Sequence, residues 1–238
     1  MQTNAHGTER NSDTDSDEIA PEAAPVRGIG TLEIREPRQF CGIVRARTIH
    51  VADVLDAHGI ICDCLILDNG TLQCFADLHA HRISGNGCIR INGALECDSL
   101  DLTGDLETHG EIICSGTLNI NGSLINTRRV TADTIILNGA CKGRELDGRN
   151  LDIRPLNSNM FARFGMNRFD AGIEVVQINA NQLKAQGLRC QSLKANKALL
   201  RNDSHVQSAI CDAALGTDRT SSVVLVGGDC RRVHLKTA

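Results

Sequence analysis

The residues with the chemistry for metal binding or redox work are eleven cysteines and one HxH motif in a chain of 238 residues. His79 and His81 flank Ala80, so on a strand both imidazoles face the same side. Such a pair can begin a metal site, but the sequence offers no assignable third ligand, and Cys62 and Cys64 do not form a CxxC motif. We therefore expect a solvated strand face at the two histidines, and neither a metal ion nor another cofactor.

Motifs for nucleophilic and phosphate chemistry are missing from the sequence. It contains no glycine-rich phosphate loop and none of the patterns GxSxG, HExxH or DxDxDG. Ser221 and Ser222 are neighbours, but no base can be assigned to either of them. No pair of carboxylates stands out among the 29 acidic residues. The sequence therefore predicts no catalytic residue, and we expect a non-enzymatic protein.

Composition and charge exclude several classes of protein. Residues 1–27 carry six acidic and two basic residues, which accounts for the whole net charge of −4. This polar, acidic segment predicts a disordered tail over residues 1–30, which favours neither nucleic acid nor an anionic membrane as a partner. The balanced remainder has no polybasic stripe, and aromatic residues make up only 2% of the chain.

Cysteine count and hydropathy bear on the compartment. The number of cysteines is odd and the N-terminus carries no secretory signal, which together argue against a disulfide framework. No apolar stretch approaches the roughly 18 residues that a membrane-spanning helix needs. We therefore expect a cytoplasmic protein.

Pairs of apolar or small residues at positions i and i+2 recur along the chain, mostly every 5 or 6 residues. This spacing is typical of short strands joined by tight corners, and no long window has helical spacing. One phase of the pattern returns after 16 to 18 residues, so three short strands make one period. The period predicts an all-β, three-sided parallel β-solenoid with about 17 residues per coil, whose stacked coils bury their inner faces. The phased positions are Val44, Ile60, Leu78, Leu95, Ile112 and Val130.

Stacking also predicts a packing role for most of the cysteines. The second member of each phased pair is alanine or cysteine, which predicts a column of small residues at a tight interior corner. Buried free cysteine behaves as a small hydrophobe, so it suits this position. The same signature returns at Cys190-x-x-Leu193-x-Ala195 and at Cys230-x-x-Val233-x-Leu235, which predicts that the solenoid resumes toward the C-terminus. The column comprises Ala46, Cys62, Ala80, Cys97, Cys114 and Ala132.

Turn residues agree with this architecture. Asparagine and glycine accept positive φ angles where strands turn sharply. Asn-Gly is also the signal for a two-residue β-hairpin, but hairpins would not produce a column of small residues at this period. The predicted turns are Asn69–Gly70, Asn92–Gly93, Asn121–Gly122 and Asn138–Gly139, with Thr103–Gly104 in an equivalent place.

One interruption divides the predicted solenoid. Arg154–Pro155 cannot continue a central strand, because proline has no N–H to donate to the ladder. The predicted divisions are a first solenoid part over residues 31–153, the interruption over residues 154–172 and a second solenoid part over residues 173–238.

The interruption holds three of the five phenylalanines and two of the three methionines. One interpretation is a cluster of large side chains that fills a widened coil or plugs a solenoid end. The other is a subunit contact, because aromatic residues, methionine and arginine are favoured in the cores of interfaces. The three phenylalanines, Phe161, Phe164 and Phe169, are therefore candidate self-association residues.

The repeats resemble those of bactofilins, the polymer-forming cytoskeletal proteins of bacteria. The resemblance lies in Gly93–Leu106 (GALECDSLDLTGDL) and Gly116–Leu124 (GTLNINGSL), while Leu146–Arg154 and Gly228–Leu235 resemble a longer two-part variety. It implies a right-handed β-helix with disordered tails and nucleotide-free, end-to-end polymerisation into non-polar filaments. It also makes a second copy of the chain the expected partner, with other cell-envelope or cytoskeletal proteins as further candidates. Direct membrane binding is not expected, because the tail lacks an apolar hook.

Two other functions use the same fold class. Hexapeptide acyltransferases are three-sided solenoids, but their repeat places glycine directly after the aliphatic residue, whereas glutamate follows Leu95 and Leu106 here. They also need a catalytic histidine near a cleft between subunits, and the sequence assigns none. The third candidate is a capped, monomeric β-solenoid adaptor that binds a partner on its outer face.

Self-association has a physical basis at the ends of any β-solenoid. Each end is a strand edge with unpaired N–H and C=O groups, which is either capped or paired with another copy. Few charges or prolines block the coil around residues 223–226. Val224 and Val226 are therefore further candidate self-association residues.

We expect Phe164→Arg to separate the two interpretations of the interruption. If the phenylalanines form an interface, the added charge weakens association by about 2–4 kcal/mol and leaves the melting temperature unchanged. Sedimentation and thermal melting on one sample measure both quantities. An unchanged size distribution with a lower melting temperature would instead identify the cluster as core.

Overall fold

The computed structural model describes residues 29–156 and 172–234. Within these ranges the chain is all-β and contains no helix: its strands form one parallel sheet, wound into a β-solenoid of about 11 turns spaced about 17 residues apart. The fold class predicted from the sequence is therefore confirmed. The strands are β1 (Ile29–Ile34), β2 (Arg38–Val51), β3 (Val54–Cys74), β4 (Leu78–Ile91), β5 (Leu95–Thr108), β6 (Ile112–Arg154), β7 (Ile173–Gln186), β8 (Leu188–Arg201), β9 (His205–Thr217), β10 (Ser222–Gly227) and β11 (Arg231–His234).

The interior is built from the apolar pairs that the sequence predicts. Every predicted pair from Val44/Ala46 to Ile135/Leu137 is buried, except that Ala46 is half-buried. Leucine, isoleucine and valine provide most of this volume, and of the two described phenylalanines Phe40 is buried and Phe75 is exposed. Burial of an aliphatic side chain stabilises a fold by about 1.5–3 kcal/mol. Many buried aliphatic side chains therefore stabilise this core in place of a few large aromatic ones.

The predicted column of small residues is present in the strand register. Ala46 pairs with Cys62, Cys62 with Ala80, Ala80 with Cys97, and Cys97 with Cys114. Burial raises the pKa of the Cys62 thiol to about 12, so this thiol stays protonated and apolar at neutral pH. The register therefore supports a packing role for the column.

Glycines form a second column, at a corner where successive turns approach closely. Gly87, Gly104, Gly122 and Gly139 all have φ between +137° and +152°, a region that side chains disfavour. A Cβ atom on each of the last three would overlap the carbonyl oxygen of the glycine one turn before it. Asparagine side chains bridge turns beside this column, with Asn86 donating to Asn69 over 2.6 Å and Asn138 to Asn121 over 2.7 Å.

The predicted turn at Asn92–Gly93 is present but does not belong to this column, and the turn that does was not predicted. Asn92–Gly93 lies at a different corner, where Gly93 is held against Ala76 and Asp77 and has no positive φ. Asn86–Gly87 occupies the expected position instead, because Gly87 pairs with Gly70 and with Gly104. The i, i+2 pattern is weak there, since Ile83 is followed by Gly85 rather than by an apolar residue.

The two predicted solenoid parts are joined by backbone pairing. Strand β7 pairs directly with β6, and Cys141 faces Ile173, 32 positions further along the chain. Residues 157–171 lie outside the described part, and without these 15 residues the turn has the ordinary length of 17. Strand β6 therefore ends at Arg154, and β7 continues the ladder in register.

The signature at the C-terminus does not continue the interior as predicted. Cys230 is half-buried, but Val233 pairs with Gly216 and is exposed, and Leu235 lies outside the described residues. The inward position of the previous turn is Leu215, which faces Arg232. The last turn is therefore out of phase with the signature that Cys190, Leu193 and Ala195 follow.

Gly104→Ala is expected to destabilise the solenoid, because a Cβ would occupy the space of the Gly87 carbonyl oxygen at a φ of +137°. Backbone strain of this kind costs about 1–3 kcal/mol, measured as the free energy of unfolding in denaturant. Gly42→Ala is the matched control, since nothing lies within 4 Å of its Cβ position. Equal stability of the two variants would contradict the close approach at Gly104.

Candidate functional site

The last turn of the solenoid presents an open strand edge. Strands β10 and β11 both pair with β9, and no other described strand pairs with either of them. Val224 is 76% exposed and Leu225 is 66% exposed, the two highest values among large apolar residues in the described part. Val223 and Val226 face inward but are only partly buried, because β9 is the only described strand that pairs with β10. Backbone donors, backbone acceptors and apolar side chains thus meet on one surface, which we call the terminal edge (residues 222–227).

The opposite end of the solenoid has a different chemistry. Strand β1, the connection after it and the first residue of β2 carry two ion pairs, Arg35 with Glu33 and Arg38 with Glu36. Pro37 lies between the second pair. Charged side chains and proline are features that discourage edge-to-edge pairing of strands. Of the two described ends, the terminal edge is the one whose strand has neither a charged residue nor proline.

Basic side chains on β11 limit the apolar surface at this end of the solenoid. Strand β11 carries Arg231 and Arg232, both exposed, on the side of the last turn that follows the terminal edge. A partner seated on the end would meet an apolar strip along β10 and a basic strip along β11.

Asp218 fastens the corner that leads into the terminal edge. Its carboxylate accepts hydrogen bonds from the backbone N–H groups of Asn202, Thr220 and Ser221, at 2.8, 3.1 and 2.9 Å. The Thr220 hydroxyl donates a further bond of 3.0 Å. Asp218 is buried, and burial by itself raises the pKa of a carboxyl group, but these hydrogen bonds outweigh it and lower the pKa to about 2. The last turn is thereby tied to the corner after β8.

The candidate residues named from the sequence fall in two regions. Phe161, Phe164 and Phe169 lie outside the described residues. Val224 points outward from the terminal edge, whereas Val226 faces the interior and packs partly against the core. A charge at Val224 therefore tests the surface, while a charge at Val226 also disturbs the packing of the last turn.

Ser222 has a histidine neighbour that sequence reasoning did not assign. The Nδ1 atom of His205 lies 2.8 Å from the Ser222 hydroxyl, and its Nε2 atom lies 3.1 Å from a carboxylate oxygen of Asp203. All three side chains belong to exposed residues. Water competes with hydrogen bonds in such a setting, which weakens any activation of the hydroxyl, so the contact acts as a bridge between β9 and β10. The signal for it is the 17-residue spacing of His205 and Ser222, which equals one turn.

A wide groove adjoins this contact on the outer face. It has a volume of about 750 Å³ and follows the same side of the solenoid from Ile125 in β6 to Val224 in β10. Its lining is mostly apolar, with Lys142, Arg144 and Arg189 as its basic side chains. Sequence reasoning missed the groove, because its lining residues are 15 to 32 positions apart.

The HxH motif lies on an exposed face of β4, as predicted. His79 Nδ1 is 3.0 Å from a carboxylate oxygen of Glu96, and His81 Nδ1 is 2.8 Å from one of Asp98, both in the next turn. Hydrogen bonds from His81 and Ser115 hold the pKa of Asp98 below its usual value. In the described ranges no group of three or more His, Cys, Asp or Glu side chains is arranged to hold a metal ion.

No protein-family model, curated protein or solved structure matches this chain. In residues 29–156 and 172–234 there is also no helix of the length and apolarity that crossing a bilayer requires.

Asp218→Ala is expected to loosen the terminal edge, because three backbone donors lose their acceptor. Lost hydrogen bonds to a charged group cost about 1–3 kcal/mol, and hydrogen exchange of the β10 amides should accelerate accordingly while exchange in β5 is unchanged. Asp212→Ala, an exposed aspartate in β9, is the control.

The same corner gives an expected pH dependence. Because the folded-state pKa of Asp218 is lowered to about 2, its stabilisation is complete above the unfolded pKa near 3.8 and is lost as the pH falls toward 2. Acid should therefore accelerate β10 exchange in the native protein and not in Asp218→Ala. Equal acid sensitivity of the two proteins would contradict this role of Asp218.

Proposed function

We propose that this chain is a non-enzymatic structural scaffold that self-associates through the terminal edge, as the bactofilin-like pattern of its repeats implies. The observation that carries the proposal is the coincidence of unpaired strand groups with the exposed Val224 and Leu225 at the end of the solenoid. An exposed, flat, apolar strand edge is a template for pairing with another chain. A second copy supplies such a strand with the same geometry.

The geometry favours contact between like ends. Two terminal edges related by a two-fold axis bring β10 of one copy alongside β10 of the other, with antiparallel pairing and apolar strips in contact. A head-to-tail contact would place Val224 and Leu225 against the charged end at Glu33–Arg38. Burial of the apolar strips favours the first arrangement, which also agrees with the non-polar filaments that the resemblance implies.

A filament needs a second contact besides the one at the terminal edges. The contact between like ends closes on itself and gives a dimer. Phe161, Phe164 and Phe169 are the candidates for the second contact, because the interruption concentrates aromatic residues in a chain that otherwise has few. The scaffold would then grow by alternating two different interfaces.

The rival functions have less support from the described residues. A capped adaptor needs a polar last repeat, since terminal repeats of soluble solenoids are capped in that way. The last turn here has apolar residues at its open edge instead. For an acyltransferase, His79, His81 and His205 are the histidines with defined contacts, and each of them bonds a side chain one turn away on an exposed face.

Electron microscopy and sedimentation of the purified protein over a range of concentrations test the proposal directly. We expect oligomers that grow with concentration and need no nucleotide. A protein that stays monomeric at every concentration would contradict self-association.

Val224→Lys is expected to weaken this association about tenfold or more, which corresponds to about 1.4 kcal/mol, because it places a charge in the apolar strip. Sedimentation velocity over a dilution series gives the association constant. Ile66→Lys is the control: Ile66 lies in the internal strand β3 on the outer face, away from the terminal edge, and is 38% exposed. If both variants associate as the unchanged protein does, assembly does not use the terminal edge.

A further inference from the structure

Cys97 and Cys114 are paired in register, and among the described strands they are the only two cysteines that are. We propose that these two thiols form a reversible oxidation site, at which a peroxide or a small-molecule disulfide converts them to a disulfide bond between adjacent turns. This inference does not depend on the proposed scaffold function.

The strand register places both thiols within bonding range. Paired strands lie about 4.8 Å apart, and the Cα atoms of disulfide-bonded cysteines are about 4.4–6.8 Å apart. Both side chains point into the same interior corner, since both residues are buried members of the small-residue column. Alanine occupies the next position on one side of the pair, at Ala80, so no large side chain separates or crowds the two sulfur atoms.

The side chains of Cys211 and Cys230 also lie close together, but these two residues are not paired in register, and other buried cysteines face residues without a thiol. Cys62 faces Ala46 and Ala80, Cys141 faces Ile173, and Cys190 faces Val175 and Val206. None of these three cysteines has a thiol in the next turn.

The two thiols also differ in acidity. A hydrogen bond between them lowers the pKa of Cys114, and the same interaction together with burial raises the pKa of Cys97. Cys114 also donates a bond of 3.4 Å to the backbone oxygen of Asp98. The first thiol to ionise is therefore Cys114, and thiolates are the reactive form of cysteine.

An outer groove of about 370 Å³ reaches Cys97 and the two neighbours of Cys114 in the chain, Ile113 and Ser115. Cys97 is 7% exposed and Cys114 is 2% exposed, so the opening admits small oxidants rather than proteins. The register between β5 and β6 shifts between Cys97 and Leu100, so the ladder is irregular there. A disulfide bond next to this shift would fix the position of the two strands relative to each other.

The chemistry balances with hydrogen peroxide as the oxidant. The Cys114 thiolate attacks one peroxide oxygen, the O–O bond breaks, and sulfenic acid and hydroxide form; the hydroxide takes up the proton released on ionisation. The Cys97 sulfur then attacks the sulfenic sulfur, the S–O bond breaks, and the second water leaves with the Cys97 proton. Two thiols and one peroxide give one disulfide and two waters, and a dithiol reductant reverses the change by thiol–disulfide exchange.

The sequence offers a direct assay. Trypsin cleaves after Arg90 and after Arg128, and the peptide of residues 91–128 contains Cys97 and Cys114 as its only cysteines and no internal lysine or arginine. The reduced, folded full-length protein is treated with hydrogen peroxide, then unfolded in an alkylating reagent and digested. We expect this peptide to lose two hydrogen atoms in mass and to resist alkylation until a dithiol is added.

Variants identify the pair and its effect. Cys97→Ala and Cys114→Ala should each abolish the two-hydrogen loss and still fold, since alanine occupies the same column at other turns. Cys62→Ala, in the same column but without a thiol partner, should leave the loss intact. The oxidised protein should melt several degrees higher than the reduced one, and neither variant of the pair should gain that rise.

Three results would overturn the proposal. The first is a peptide that remains fully alkylated after oxidation of the folded protein. The second is a cross-link that forms only after unfolding in urea, which would place the thiols out of range in the fold. The third is oxidation that yields covalent dimers on a non-reducing gel instead of the intramolecular bond.

Discussion

The structure depends on one constraint, the close and regular approach of each turn to the next. Parallel pairing in register fixes the separation of turns, and the corners must then fit within that distance. At the glycine corner Gly104 lies against the carbonyl of Gly87, and Gly122 against that of Gly104. At the other corner the paired residues from Ala46 to Cys114 are only alanine or cysteine. Small residues at the corners and aliphatic residues on the flat sides are two consequences of the same spacing.

The outer surface follows the same spacing in a different chemistry. Asparagine, histidine and carboxylate side chains bridge positions about one turn apart, as in Asn69 with Asn86 and His81 with Asp98. Each such bridge is exposed and individually weak. Single apolar residues such as Ile66 and Ile113 are also exposed between these bridges, but Val224 and Leu225 are adjacent in the chain and are the most exposed large apolar residues of the described part.

The solenoid and its interior were predictable from the sequence, because alternation at i and i+2 with a period near 17 has few physical solutions. The pairs from Ile49/Val51 to Ile135/Leu137 were all identified as inward-facing and are all buried. The errors came where the pattern depends on backbone rather than side chains. The corner at Gly87 was missed because Gly85, two positions after Ile83, interrupts the apolar pattern. The last turn is shifted relative to the signature, so that Val233 is exposed. A repeat predicts the environment of a residue from the turns stacked on both sides of it, whereas the last described turn has a paired turn on one side only.

The candidate surface was predictable only in part. The position of the open edge follows from the order of repeats, and so does the exposure of Val224. The corner at Asp218, the contact of His205 with Ser222 and the groove along β6–β10 involve residues 15 or more positions apart, for which the sequence carries no marker beyond the period itself. The register of Cys97 with Cys114 was foreseen as packing, and its geometry as a pair emerges only when the turns are aligned.

Strand β6 ends at Arg154, and β7 pairs with it from Ile173 onward in register with Cys141, although residues 157–171 lie between the two strands in the sequence. The corner between these strands is therefore compatible with connections of different length. The pairing on either side depends on the strands alone, so a segment of different length or composition at this corner would leave the pitch and the length of the solenoid unchanged. The dimensions of the solenoid are thereby independent of the sequence inserted at this corner, whereas in most globular domains the two are coupled.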